Sequence, residues 1–388
     1  IVEQFQFLYF VDRIIQICLM DTVQQGHEMV RNSSILALAF SIPWLMSPAQ
    51  SQPVQITDMT GRKVELAAPA GRIASIPIPL ASTIIALDGK PDRLVGMNKL
   101  ARSAIAEGIL GRIFPKALEI PDTIAGANFA PNIEALAATR PDLVIQWGDR
   151  GDEIVKPIAN AGLTTMLVAY GDEARGREFM NITAKAMGRS DRIGPIVEWR
   201  ARVQAEIEAK TAAIPAEKKP RALYLLRFLE GVQAAGEGGA VYMDFWIKLA
   251  GGRNATAPLE GMKSVNKEQV AAWDPEVIFL NSFEPQLTVD HVYNDPILSQ
   301  TRAARAKRVY KMPLGGYRWD PPNQESPLTW MWVANLLHPD IFRYDLRAEM
   351  TRAYKTLYGH DLKPEEIDEI LWMSMQGKSA HYDVFKGR

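Results

Sequence analysis

The chain has 388 residues, of which 47% are hydrophobic and 23% charged, and its formal net charge at pH 7 is -1. These values are ordinary for a soluble globular protein of about two domains, and they lack the basic excess typical of nucleic-acid binding. The one cysteine, Cys18, leaves the rest of the chain without an internal disulfide. The histidines stand at positions 27, 291, 338, 360 and 381. No two of them have ligand spacing, so no bare transition-metal site is predicted.

The first 49 residues are predicted to lie outside the folded protein. Residues 1–28 fit neither a signal nor a domain and are interpreted as an upstream segment before a natural start at Met29. Residues 29–49 have the short basic start, apolar core and small-residue cleavage site of a signal peptide. A membrane anchor is the alternative, which Pro43 and the short apolar stretch disfavour. The sequence therefore predicts export, with cleavage after Ala49.

Residues 50–187 are predicted to form a first α/β lobe. A hairpin is expected over residues 54–66, around Gly61. After it, strands are predicted at 72–76, 94–97, 142–147 and 165–169, with helices at 80–87 and 152–161 and a short one starting at 132. Alternation of this kind indicates a parallel sheet covered by helices.

A long helix over residues 188–214 is predicted to link this lobe to a second one. Residues 173–213 contain no strand candidate, and Ile196, Val203 and Ile207 fall on one side of the charged segment. Pro195 is expected to kink the beginning of the helix. An ordinary crossover helix is the alternative, which the position between two similar halves disfavours.

Residues 215–388 are predicted to form the second α/β lobe and a set of C-terminal helices. Strands are predicted at 221–226, 277–280 and 308–311, and helices at 242–250, 296–306, 328–337, 345–358 and 364–373. Residues 317–322 form a stiff aromatic loop. Residues 236–239 are rich in glycine but lack the Gly-Lys-Ser/Thr ending of a phosphate loop, so they are interpreted as a flexible connection.

One short unit occurs twice in the chain, at residues 132–145 and 266–279. The two copies share Asn, Glu, two Ala and Pro, which are five identities in fourteen positions. Asn can cap a helix, Glu is favourable near the positive end of the helix dipole, and Pro ends the helix before an apolar strand. Two copies of a helix that leads into a buried strand predict two lobes of similar plan.

This order of elements resembles the periplasmic substrate-binding proteins of ABC importers for iron siderophores, heme and vitamin B12. The resemblance covers roughly residues 53–375. It implies an α/β fold in which two Rossmann-like lobes with parallel sheets are joined by one long backbone helix, with a ligand cleft between the lobes. It also implies that Glu134 and Glu268 dock on the two subunits of an inner-membrane permease dimer. A favourable dipole position alone is the alternative explanation of both Glu residues.

The ligand is expected where the carboxyl ends of the strands converge on the cleft. The candidate ligand-binding residues at such ends and in the aromatic loop are Trp147, Tyr170, Arg227, Phe228, Asn281, Tyr317, Arg318 and Trp319. Aromatic rings offer flat apolar area, and Arg can neutralise carboxylates or phenolates. Packing in the core is the alternative for each aromatic residue.

The combined interpretation is a monomeric periplasmic protein, without a cofactor or a resident metal, that carries a chelated metal to an importer. A ferric siderophore is the first expectation, and heme or a corrinoid comes next. No pair of carboxylates and no nucleophile elbow points to catalysis, so an enzyme is not predicted. The alternatives are an enzyme like a metal chelatase on the same two-lobe architecture, and a sensor that reports its ligand to a partner protein.

Overall fold

The computed structural model describes residues 53–238 and 241–387, apart from the side chain of Ala127. These residues belong to one compact unit, Ser51–Arg388. The predicted upstream segment, 1–28, and the predicted signal peptide, 29–49, lie outside the described residues.

The first lobe is an α/β structure whose helices cover a parallel sheet. Its strands are β1 Val54–Thr57, β2 Lys63–Leu66, β3 Ile73–Ser75, β4 Leu94–Met97, β5 Leu143–Trp147 and β6 Thr165–Val168. Its helices are α1 Leu80–Asp88, α2 Lys99–Glu107, α3 Leu110–Ile113, α4 Ile133–Ala138, α5 Lys156–Asn160 and α6 Glu173–Ala186. The sheet order is β4-β3-β5-β6, and β1 and β2 form the predicted antiparallel hairpin. Every residue of β5 is buried, as its mainly apolar sequence predicts, and this includes the polar Gln146.

A long helix, α7 Ser190–Thr211, follows the first lobe. Ile196, Val203 and Ile207 are buried on one side of it, and Pro195 lies inside it. Gly188, with φ of 64°, lies between α6 and α7. Since this left-handed conformation is readily available to glycine, the chain turns there and the strand-free region holds two helices.

The second lobe contains a mixed sheet. Its strands are β7 Arg221–Arg227, β8 Val232–Ala235, β9 Arg253–Asn254, β10 Met262–Val265, β11 Val277–Leu280 and β12 Val309–Lys311. Their order is β10-β8-β7-β11-β12, with β9 also paired to β7. Strands β7, β11 and β12 are parallel. Strand β8 pairs antiparallel with β7, and β10 pairs antiparallel with β8; the sequence predicted neither β8 nor β10.

The glycine-rich segment that begins at Gly236 is more ordered than predicted. The backbone N–H of Gly236 donates to Gly261 O at 2.8 Å, and that of Glu237 donates to Leu259 O at 2.8 Å. A Cβ at Gly236 would lie 2.0 Å from Leu259 O. Glycine therefore permits a close approach of two backbones, and the prediction of a flexible connection is wrong for these two residues.

The remaining helices complete the second lobe and its C-terminal extension. They are α8 Tyr242–Leu249, α9 Lys267–Trp273, α10 Asp290–Tyr293, α11 Arg302–Arg305, α12 Ser326–Leu337, α13 Leu346–Tyr358, α14 Pro364–Ile370 and α15 Met373–Gln376. Short 3-10 helices occur at Pro115–Glu119, Asp152–Ile154, Ala216–Lys218, Leu298–Gln300 and Tyr382–Phe385. The helix predicted at 296–306 is divided into a 3-10 turn and α11.

The repeated unit has the same local structure in both lobes. The Asn132 side chain accepts from Ala135 N–H at 3.2 Å, and the Asn266 side chain accepts from Gln269 N–H at 2.7 Å. Each Asn therefore caps its helix, as predicted. The ninth residue of each copy, Arg140 or Asp274, has a left-handed φ of 46° or 44°.

The carboxylates that follow the repeated prolines also have equivalent contacts. Asp142 Oδ1 accepts from Arg72 N–H at 3.0 Å, and Glu276 Oε2 accepts from Arg221 N–H at 2.7 Å. Both donors lie at the start of the first parallel strand of their lobe. The two lobes therefore share a plan that extends from sequence to hydrogen bonding.

Buried polar contacts join the lobes through residues 313–325, which we call the connecting loop. Thr83 Oγ1 in α1 donates to Gln324 Oε1 at 2.9 Å, and Arg318 pairs with Glu107 of α2 at 2.8 Å. Residues 313–325 are buried throughout. The connecting loop follows β12 of the second lobe, so these contacts fix its position against the first lobe.

A side-chain amide covers the outer edge of β12. The side chain of Gln376 accepts from Lys311 N–H at 2.7 Å and donates to Lys311 O at 2.9 Å. Because β12 is the last strand of its sheet, Gln376 takes the hydrogen-bonding place of a neighbouring strand.

Candidate ligand-binding cleft

A cleft of about 460 Å³ lies between the two lobes. The first lobe contributes Ile78, Pro79, Leu100, Phe129, Trp147, Asp149, Arg150 and Tyr170, and the second contributes Leu226, Arg227, Val241, Met243, Gly261, Met262, Phe283, Tyr317 and Pro321. Trp147 ends β5 and Arg227 ends β7. The cleft therefore lies at the carboxyl ends of parallel strands, and its volume is in the range of small-molecule sites.

Four of the eight candidate ligand-binding residues line this cleft. They are Trp147, Tyr170, Arg227 and Tyr317, two from each lobe. The Trp147 and Tyr170 rings meet edge to face, with centroids 6.2 Å apart. Contact with ligand remains a prediction for all four.

Two other candidates, Phe228 and Asn281, are not among the residues that line the cleft. Phe228 is buried in the second lobe, with Lys267 Nζ 5.4 Å from its ring centroid. Asn281 Oδ1 accepts from the backbone N–H groups of Phe283 and Glu284 at 2.8 and 2.9 Å. The loop after each strand turns these side chains towards partners within the lobe, so neither lines the cleft, and their contact with a ligand stays a prediction.

Arg318 and Trp319 likewise serve the connecting loop instead of the cleft wall. Arg318 pairs with Glu107 and donates to Ser282 O. Trp319 Nε1 donates to Glu325 Oε2 at 2.8 Å. Their polar groups are thus occupied by the protein itself, which the sequence around them did not reveal.

Arg150 is a charged cleft residue that the sequence analysis missed, as is the neighbouring Asp149. Its guanidinium carbon lies 4.4 Å from the centroid of the Phe129 ring and 4.9 Å from that of Trp147. Its position three residues after Trp147, in the loop that leaves β5, is the signal that could have identified it. Phe283, which also lines the cleft, lies three residues after the end of β11 and carries the same signal, whereas Phe129 does not follow the end of a strand.

The side chains that line the cleft include positively charged guanidinium groups and neutral hydroxyl groups. Within residues 53–238 and 241–387, neither Arg150 nor Arg227 forms an ion pair. Burial lowers the pKa of Arg150, an effect that the nearby Asp149 carboxylate opposes, yet a guanidinium stays protonated. Burial raises the pKa of the Tyr170 hydroxyl above its usual value, so that hydroxyl is neutral at ordinary pH.

The described part of the chain contains no group of three or more His, Cys, Asp or Glu residues that could hold a metal ion. The cleft wall offers aromatic rings, thioethers and guanidinium groups instead. A lining of this kind suits an organic or anionic ligand better than a bare cation.

Glu134 and Glu268 both lie in the first turn of their helices, α4 and α9, and both side chains are exposed. Neither of them forms an ion pair with another described residue. Their positions are equivalent in the two copies of the repeated unit, so each lobe presents an accessible carboxylate at the same place in its fold.

A family model described as "Periplasmic binding protein" matches residues 85–314, more than half of the chain. The chain belongs to this family. A solved periplasmic binding protein, the periplasmic solute binding protein of Veillonella parvula, is 30% identical with a TM-score of 0.76, and the match covers 84% of this chain and 98% of that one.

Two curated proteins extend the comparison within the periplasmic binding proteins. The molybdate-binding protein MolA of Haemophilus influenzae is 24% identical over 333 residues, which cover 80% of this chain and 92% of MolA. The Fe(3+)-citrate-binding protein YfmC of Bacillus subtilis is 22% identical over 191 residues, or 48% of this chain and 58% of YfmC.

Family membership confirms the predicted class of protein and the two-lobe α/β fold. It identifies the chain as a periplasmic solute-binding protein. No helix of the described residues is long and apolar enough to cross a membrane.

Proposed function

We propose that this protein captures a metal chelate, with a ferric siderophore as the first choice, and delivers it to an ABC importer. The observation that carries this proposal is the lining of the cleft, where aromatic rings and two guanidinium groups surround about 460 Å³. Rings can pack on the organic part of a chelate, and the guanidinium groups can bind its carboxylates or phenolates.

The size and chemistry of the cleft argue against two simpler ligands. A bare oxyanion, such as the molybdate in the name of MolA, would leave most of this volume to water. A bare cation would meet Arg150 and Arg227 with only Asp149 as a carboxylate in the wall. A chelate supplies both the bulk and the acceptor groups that this wall can use.

Heme and a corrinoid are the next candidate ligands after a ferric siderophore. Heme iron is usually held by His, Cys, Met or Tyr side chains. Among these four residue types, two tyrosines, Tyr170 and Tyr317, and two methionines line the cleft. Burial raises the pKa of both tyrosine hydroxyls. A phenol that resists ionisation is a poor iron ligand, which supports a ligand whose own atoms satisfy its metal.

Delivery is proposed to use Glu134 and Glu268 as contacts with basic pockets on a permease dimer, with the binding protein acting as a monomer. Both carboxylates are exposed, and equivalent placement in the two lobes suits a partner with two similar subunits. Exposed charges of this kind guide association and orientation more than they add affinity.

Binding is tested by titrating the intrinsic tryptophan fluorescence of the purified protein. The probes are a ferric tris-catecholate, a ferric tris-hydroxamate, ferric citrate, heme, cobalamin, molybdate and free metal salts. We expect saturable quenching by a ferric chelate and none by the metal salts, because Trp147 lies in the cleft wall. Quenching by none of the chelates, with the protein shown to be folded, would rule out the proposal.

Docking is tested with the double variant Glu134→Arg, Glu268→Arg. We expect chelate binding to be retained and uptake in cells to be lost. The matched control is Glu365→Arg, which reverses an exposed carboxylate in the first turn of α14. Normal uptake by the double variant would remove the docking role from both residues.

A further inference from the structure

Two polar groups in the cleft wall lack a hydrogen-bonding partner among the described residues. They are the indole Nε1–H of Trp147 and the hydroxyl of Tyr317. The two residues are 2% and 0% exposed, and one belongs to each lobe. A buried polar group without a partner costs about 1–3 kcal/mol, so such groups call for an explanation.

A missing partner alone does not identify a ligand contact. Trp246 Nε1 and the Tyr344 hydroxyl also lack partners in the described residues, and neither residue lines the cleft. Trp147 and Tyr317 differ because they form its wall together with two guanidinium groups that have no carboxylate partner there.

The guanidinium groups are divided between the lobes in the same way as the two donors. Arg150 of the first lobe rests on the rings of Phe129 and Trp147. Arg227 of the second lobe lies 5.1 Å from the centroid of the Phe283 ring and donates to Leu226 O at 2.9 Å. Each lobe therefore contributes one cation and one unpartnered donor to the residues that line the cleft.

Acceptor capacity in the same wall is small. Asp149 is the one carboxylate among the residues that line the cleft, and its Oδ2 already accepts from Tyr170 N–H at 3.0 Å. A ligand that fits this wall must therefore supply acceptors to it and needs few donors of its own.

We propose that Trp147 and Tyr317 determine specificity by donating hydrogen bonds to an oxygen-rich anionic ligand held between Arg150 and Arg227. The site then selects anionic chelates over neutral or cationic ones of similar size. This inference rests on the proposed function and narrows its substrate class. A neutral complex would leave both guanidinium groups of the cleft wall without an anion, which lowers its affinity relative to an anionic complex.

If the Tyr317 hydroxyl donates to the ligand, removing it should weaken ligand binding without lowering the stability of the free protein. Tyr317→Phe removes only the hydroxyl that has no partner in the described residues, so the free protein should be as stable as before or more stable. The same change should weaken binding of the ferric tris-catecholate about threefold to tenfold, the effect of one neutral hydrogen bond. A hydroxyl with a structural role would instead lower stability and leave affinity unchanged.

The test compares the anionic ferric tris-catecholate with the neutral ferric tris-hydroxamate by isothermal titration calorimetry. Arg150→Ala and Arg227→Ala should each weaken tris-catecholate binding about tenfold to hundredfold, as expected for a hydrogen bond to a charged group. The control variants are Tyr344→Phe, which removes a hydroxyl of the same kind outside the cleft, and Arg253→Ala on the exposed surface. Both should bind like the unmodified protein.

The outcomes separate this inference from the proposed function. Equal affinity for the two ferric complexes, or unchanged affinity after Tyr317→Phe, would overturn the inference and leave chelate binding intact. Binding of molybdate alone, weakened by the same variants, would support the donor assignment and overturn the chelate proposal. Binding of none of these probes would overturn both.

Discussion

The ion pair between Arg200 and Glu173 gives the clearest prediction about the contact between the lobes. Arg200 of α7 donates from Nε to Glu173 Oε1 at 2.8 Å and from Nη2 to Oε2 at 2.5 Å. A third donor reaches Asn323 O in the connecting loop at 2.5 Å. Arg200 is 0% exposed and Glu173 is 3% exposed, so water screens neither charge.

Arg200→Met should destabilise the protein by up to about 3–5 kcal/mol, because it removes the one cation that is hydrogen-bonded to the buried Glu173 carboxylate. Two groups would still lie near that carboxylate: the Tyr242 hydroxyl, which donates to Glu173 at 3.4 Å, and the Arg177 guanidinium, whose Nε lies 3.7 Å from Glu173 Oε1. The free energy of unfolding is measured by urea denaturation, followed by far-ultraviolet circular dichroism.

The double variant Arg200→Met, Glu173→Leu serves as the control for uncompensated charge. Since it removes both charges, it should be more stable than Arg200→Met alone. A loss below about 1 kcal/mol in the single variant, or a double variant less stable than the single one, would refute this reasoning.

Two further predictions concern the connecting loop. Burial raises the pKa of Glu325 above its usual 4.5, so its contribution to stability is complete below pH 4.5 and is lost as the pH rises through the raised pKa. Glu325→Gln should therefore remove part of the fall in unfolding free energy above pH 4.5, and an identical pH profile would contradict this. Gly108→Ala should cost about 1–3 kcal/mol in urea denaturation, since its Cβ would lie 2.3 Å from Gly315 O; a neutral effect would show that the loop can shift.

Local chemistry made part of this structure predictable from the sequence. Asn132 and Asn266 cap their helices because an Asn side chain reaches the backbone two or three residues ahead, whatever the rest of the fold does. Trp147 and Arg227 reach the cleft because they end buried parallel strands, whose carboxyl ends face a crevice.

The remaining features depend on contacts between distant parts of the chain. Arg318 pairs with Glu107, which is 211 positions away in the sequence, and does not line the cleft. Strand β10 forms by pairing with β8, and Met262–Val265 is a largely exposed strand without the apolar run used to predict the others. The residues next to Arg318 do not indicate its partner, and the residues of β10 do not indicate that they form a strand.

The contact of Gln376 with β12 has a consequence for the newly made polypeptide. Gln376 and Lys311 are separated by 65 positions, so the edge of β12 has no cover until that later stretch has joined the fold and docked. An open strand edge can pair with another chain. We therefore expect a vulnerable interval late in biogenesis, during which a holding chaperone would protect the second lobe from aggregation.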